Sequence, residues 1–216
     1  NKCLNPSSNV VISQTEYSST SPSDVTVTNC PFSENVSVSD KKFLSNPDKR
    51  YTKATGTLTG YFPLKMIEET KPGGIIVCLN TSGFMDNYRH TSTRELMAEK
   101  ANLIGAIRLP EGIFPDTKVN TDLLIFQKLG KKAPKLVLNN SFVNTTDQKL
   151  DNTEYRLNEY FVNHPEYILG DPVVTTGIKG LDVVKYQSDL SHPEEIAHKA
   201  EEMIRKMVSD YKQQTK

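Results

Sequence analysis

Asp24-Val25-Thr26-Val27-Thr28-Asn29-Cys30-Pro31-Phe32 is the stretch on which the reading of this chain turns. Val25 to Thr28 are β-branched without a break, the composition of a short strand, and its brevity predicts a buried one. Asn29-Cys30-Pro31 then stops the run. Pro31 has no amide hydrogen for a strand ladder, and it holds Cys30 out of the helical region. In open α/β sheets, ligands collect beyond the carboxyl ends of strands, so the residues after Thr28 are placed to meet one.

Working outward, the residues before Asp24 are rich in Ser, Thr and Asn, with one strand-like run at Asn9 to Ile12. Ser33 to Gly60 is polar and reads as a long functional loop, with Lys41, Lys42, Lys49, Arg50 and Lys53 set against Asp40 and Asp48. Thr59 to Thr70 follows as a helix whose apolar side is Tyr61, Phe62, Leu64 and Ile67, with Pro63 placed in its first turn and Lys71-Pro72-Gly73-Gly74 as its stop. Ile75 to Leu79 is a continuous apolar run, as expected of a central parallel strand covered on both faces. Ser92-Thr93-Arg94-Glu95 has the form of a capping box opening a second helix. Leu103 to Leu109 and Asp122 to Leu129 read as two further strands.

This order predicts an α/β sheet, mainly parallel with an antiparallel pair at its end. The division expected is 1–130 for the sheet domain and 131–216 for a loop-rich, turn-rich extension. That extension ends in an amphipathic helix capped at Ser191, with Ile196, Ala200, Met203, Ile204, Met207 and Tyr211 as its packing stripe.

Composition narrows the function. Lys+Arg and Asp+Glu both number 26, so the formal charge is zero and the whole surface cannot act as an electrostatic grip on nucleic acid. A local basic patch stays open, and the Lys41–Lys53 run is the place for it, as phosphate contacts that position a duplex. No apolar run approaches the roughly 20 residues that cross a bilayer. Cys3, Cys30 and Cys78 are few, odd in number and widely spaced, which suits a reducing, cytoplasmic setting. His90, His164, His192 and His198 form no ligand set, so no metal is predicted.

Asn29 to Phe32 suit one particular task, holding a planar exocyclic amino group. The lone pair of such a nitrogen is drawn into its ring, which makes it a poor nucleophile. The Asn29 amide oxygen and the Cys30 main-chain carbonyl can accept its two N–H bonds and favour a more tetrahedral nitrogen. Phe32 can stack on the base, as aromatics do around flipped nucleotides. Placement and hydrogen bonding would carry the catalysis, with no strong base required.

The segment Val27 to Asn35 resembles the Asn-Pro-Pro-Phe/Tyr motif of N6-adenine DNA methyltransferases of the large bacterial, mobile-element or type I restriction-modification kind. Lys71 to Ile76, Leu103 to Pro110, Thr121 to Lys128 and Asn158 to Gly170 resemble later segments of the same family, in family order. The resemblance implies a partial Rossmann-like, class I methyltransferase sheet. It also implies S-adenosylmethionine as methyl donor, DNA as partner, and a bacterial cytoplasmic location. Two departures stand out: Cys30 replaces the first proline of the motif, and the family's glycine-rich donor motif has no match here. The resemblance therefore implies a donor-binding half elsewhere in a longer parent protein. Two other readings stay open, a degenerate methylase-fold module for DNA binding or assembly, and an amino-methyltransferase acting on protein glutamine or RNA.

Overall fold

The computed structural model describes residues 21–31, 38–114, 118–130, 138–177, 180–189 and 192–215. Phe32, Cys3, Ser191 and the Asn9 to Ile12 run lie outside the described residues. Strands β1 (Ser23–Asn29), β2 (Thr70–Thr81), β3 (Ala101–Leu109) and β4 (Thr121–Lys128) form one sheet in the order β1-β2-β4-β3. β1 runs parallel to β2, while β4 is antiparallel to both β2 and β3. Helices α1 (Lys41–Leu44), α2 (Lys49–Ala54) and α3 (Leu58–Glu69) fill the β1–β2 crossover. Helices α4 (Ser82–Asp86) and α5 (Thr91–Lys100) link β2 to β3.

The expected long loop after the strand therefore contains two short helices, and the reason lies in its aspartates. The Asp40 side chain accepts from the Lys42 and Phe43 amides at 2.9 and 3.2 Å, and Asp48 accepts from the Arg50 amide at 2.9 Å. What reads as charge balance is helix capping. Phe43 anchors the pair by packing edge-on against Tyr51 and Tyr61, at ring separations of 4.9 and 5.1 Å.

Pro63 stands in the second turn of α3 rather than the first. A proline there cannot donate to the carbonyl four residues earlier. That carbonyl belongs to Thr59, and the buried Asn80 side chain supplies the missing donor at 2.9 Å. Lys71 to Gly74, expected to stop the helix, instead lie inside β2. They take up a register shift in which Ser23 faces Thr70 but Val25 already faces Ile75, with Gly73 at a φ of 81° that favours glycine. The expected cap at Ser92 is also displaced: α5 begins at Thr91, and the Ser92 hydroxyl is buried without a partner.

Side-chain alternation assigns the two faces of the sheet. Ile76, Cys78 and Asn80 are buried, and Asn80 reaches α3, so this face lies under that helix. Ile75, Val77 and Leu79 are half-buried on the opposite face, so β2 is fully covered on one side alone. β1 departs further from expectation. Its Val25 and Val27 are 58% and 69% exposed, and among the described residues β1 has β2 on one side and no strand on the other.

α8 (Pro193–Gln214) crosses the less covered face at β3. Ile196, Met207 and Tyr211 are buried, so the predicted stripe is a packing face. It seats where Gly105 lacks a side chain: a Cβ at that position would lie 2.3 Å from the Met207 sulfur. Between sheet and α8, the region expected to be loop-rich forms α6 (Leu138–Val143), α7 (Glu159–Asn163) and two hairpins. These are β5 (Thr145–Leu150) with β6 (Thr153–Asn158), and β7 (Asp171–Thr176) with β8 (Asp182–Gln187). The first hairpin turns on Asp151-Asn152, with Asp151 at a φ of 52° that aspartate tolerates. The Asn139 side chain joins α6 to the sheet layer, accepting from the Leu103 amide and donating to the Ala98 and Ala101 carbonyls at 3.0 Å each.

Candidate active site

Asn29 is the last residue of β1, opposite Leu79. Alternation turns its side chain to the face of Val25 and Val27, where it is exposed. Cys30 continues the ladder by one bond, its amide donating to the Leu79 carbonyl at 2.9 Å. Its side chain goes the other way and is 1% exposed, with the sulfur 3.2 Å from that of Cys78. Pro31 is half-buried. The backbone at Cys30 is thus fixed by β2, while the Asn29 amide beside it projects freely. Of the two acceptors expected here, the Asn29 amide is exposed, while Cys30 is buried as a whole residue.

The same end of the sheet carries a polar row that the sequence reading missed. One step beyond Asn29–Leu79, Asn80 pairs with Asp122 and Asp122 with Arg108. Arg108 binds Asp122 through two contacts of 2.9 Å and Asp86 through one of 2.8 Å. Its guanidinium lies 4.5 Å from the Phe161 ring centre and 5.4 Å from that of Tyr186. Asp122 is fully buried, which pushes its carboxyl up to about 6; Arg108 opposes that shift, and Asp86, drawing on the same guanidinium, adds to it. The signal was present in the sequence. Arg108 and Asp122 are charges at the ends of apolar runs, in phase with their inward-facing residues.

The basic run is dispersed. Lys41, Lys42, Lys49 and Lys53 are exposed. Arg50, expected among the phosphate contacts, is engaged by protein carboxylates: Glu99 at 2.6 and 2.8 Å, and Asp48 at 2.7 Å. Lys42 is close enough to Lys128 to help push that ammonium down, although burial is the larger cause. Lys128 ends β4 at the end of the sheet opposite Asn29. Among the described residues no group of His, Cys, Asp and Glu is arranged to hold a metal ion, and no helix is long and apolar enough to cross a membrane.

Defense against restriction protein B of Escherichia phage P1 is 30% identical over 134 residues, covering 59% of this chain and 6% of that protein. The type I restriction-modification methyltransferase subunit from Streptococcus thermophilus aligns over 69% of this chain and 37% of its own, with 14% identity and a TM-score of 0.41. The type I restriction enzyme EcoKI M protein aligns over 50% and 21%, with 22% identity and a TM-score of 0.37. This chain spans a small part of the phage protein and less than half of either methyltransferase chain. The family model for N-6 DNA Methylase matches residues 7–169, well over half of the sequence. The chain belongs to the N-6 DNA methylase family.

Proposed function

We propose that the protein methylates the N6 amino group of adenine in DNA, with S-adenosylmethionine as donor, and that this chain contributes the half of the site that holds the target base. The observation carrying this reading is the exposed Asn29 beside a Cys30 backbone pinned to Leu79. The Asn29 oxygen and the Cys30 carbonyl accept the two amino hydrogens, and the nitrogen becomes more tetrahedral as its lone pair leaves conjugation. Preorganised acceptors of this kind contribute roughly 10²–10³ in rate.

The residues described here do not fit a donor cradle. The 11 glycines include no cluster at a strand end, and the glycines of Lys71 to Gly74 lie inside β2. The free side of β1, with Val25 and Val27 exposed beside it, suits a further strand and covering layer from a donor-binding half of the parent protein. Exposed Lys41, Lys42, Lys49 and Lys53 supply phosphate contacts, without Arg50, whose donors are taken.

Incubating the complete parent polypeptide with labelled donor and DNA tests this reading. Label at adenine, lost on Asn29→Ala, is the expected result. Unlabelled adenine together with an inert Asn29→Ala would sink it. The replacement of a motif proline by Cys30 supports one other reading, a module that binds or assembles without catalysis. Donor binding measured on the parent by calorimetry separates the two, because such a module would bind none.

A further inference from the structure

Cys30 and Cys78 stand next to each other for a geometric reason. β1 and β2 are parallel neighbours, Thr28 faces Cys78, and alternation returns the Cys30 side chain to the same face two residues later. The sulfurs are 3.2 Å apart, and both side chains are buried, at 1% and 0% exposure. Among the described residues these are the free cysteines, and nothing in the proposed transfer uses either thiol. A disulfide needs the two sulfurs at about 2.05 Å. Closing that gap means moving them together by roughly 1.1–1.2 Å. Cys78 is held in the middle of β2 between two paired strands, so the movement falls on Cys30, which has one ladder bond beyond the end of β1.

We propose that Cys30 and Cys78 form a reversible dithiol–disulfide pair that fixes the strand-end loop at Asn29 to Pro31 in response to a peroxide oxidant. The Cys30 sulfur attacks one oxygen of hydrogen peroxide, giving a sulfenic acid and water. The Cys78 thiol then displaces the sulfenic hydroxyl, forming the S–S bond and a second water. Two thiols are oxidised and one peroxide is reduced. The roles follow from position. Cys78 lies inside β2 between two paired strands while Cys30 lies beyond the end of β1, so Cys78 acts second; the contact with Cys30, and then burial, also hold the Cys78 thiol well up in its protonated form. Exchange with a low-molecular-weight dithiol reverses the link. The inference does not depend on methyl transfer, since its readout is the bond itself.

The test uses the complete polypeptide, folded and treated with a small excess of hydrogen peroxide. It is then denatured in the presence of an alkylating reagent and mapped by mass spectrometry. The expected result is a peptide joining Cys30 to Cys78, about 2 Da lighter than the two free peptides and lost on reduction with dithiothreitol. Hydrogen exchange at the Cys30 amide should slow about tenfold or more in the oxidised protein. Cys78→Ser should abolish the linked peptide and leave Cys30 oxidised as a sulfenic or sulfinic acid. The unsubstituted protein decides the matter even if that variant folds poorly. Alkylated Cys30 and Cys78 after peroxide treatment would overturn the pairing, as would linkage of either one to Cys3. A linked peptide with unchanged exchange at Cys30 would overturn its action on the loop.

Discussion

Asn80 and Pro63 should be energetically coupled although they belong to different elements, and the coupling can be sized from the structure. Replacing Asn80 with Leu keeps roughly the side-chain volume but removes two hydrogen bonds. These are the donation to the Thr59 carbonyl and the acceptance from the Thr81 amide, each at 2.9 Å. Leaving a buried polar group unpaired costs about 1–3 kcal/mol. Asn80→Leu should therefore cost about 2–6 kcal/mol for the pair. Pro63→Ala returns an amide hydrogen to the position that faces Thr59. In the unsubstituted protein that hydrogen has little to add, because Asn80 already satisfies the carbonyl. In the Asn80→Leu background it takes the place of the Asn80 donor at that carbonyl, so its benefit should be larger by about 1–2 kcal/mol. Urea unfolding of all four proteins, followed by circular dichroism at the helix band, completes the cycle. Additivity within about 0.5 kcal/mol would refute the proposed exchange of donors.

Three other perturbations probe the packing around the candidate site. Asp122 titrates higher in the folded protein than in the unfolded chain, so its contribution is whole below about pH 4 and disappears as pH rises through about 6. The span is at most about 3 kcal/mol, and Asp122→Asn should flatten this part of the stability–pH curve in denaturant titrations between pH 4 and 7. Gly105→Ala should destabilise by crowding Met207, and Met207→Ala alone should cost about 2–5 kcal/mol by cavity formation. Combining the two should cost less than their sum, because the new methyl group fills part of the void. Arg94, fully buried, donates to the Phe84, Asn87 and Val143 carbonyls at 2.7, 3.0 and 3.1 Å. Arg94→Leu takes a donor from three carbonyls, of which that of Asn87 keeps the His90 amide at 3.2 Å, and should lower stability by about 2–3 kcal/mol in the same assay. Arg94→Lys should not rescue it, because an ammonium cannot span that fork.

The strand-end motif was readable because one short run combined strand propensity, a proline stop and hydrogen-bonding groups. The four sheet strands were readable from apolar runs, and the α8 stripe from its helical spacing. What escaped has identifiable causes. α1 and α2 are too short to show a periodicity, and their caps look like ordinary charges. The two hairpins sit in polar sequence whose alternation emerges only when partners are paired. The burial of Asn80, Asp122 and Arg108 depends on which strands become neighbours, a long-range fact that no local window contains. Exposure of Val25 and Val27 escaped for the opposite reason: a β-branched run looks buried whether or not its far face is covered.

The free side of β1 also bears on how this segment can be handled in solution. Among the described residues that edge has no strand partner and is flanked by exposed valines, which makes it a template for another chain to add to. This chain should lose solubility as its concentration rises, through strand-to-strand association at that edge rather than through unfolding. A single charge at position 27 would then improve recovery while leaving the melting temperature nearly unchanged.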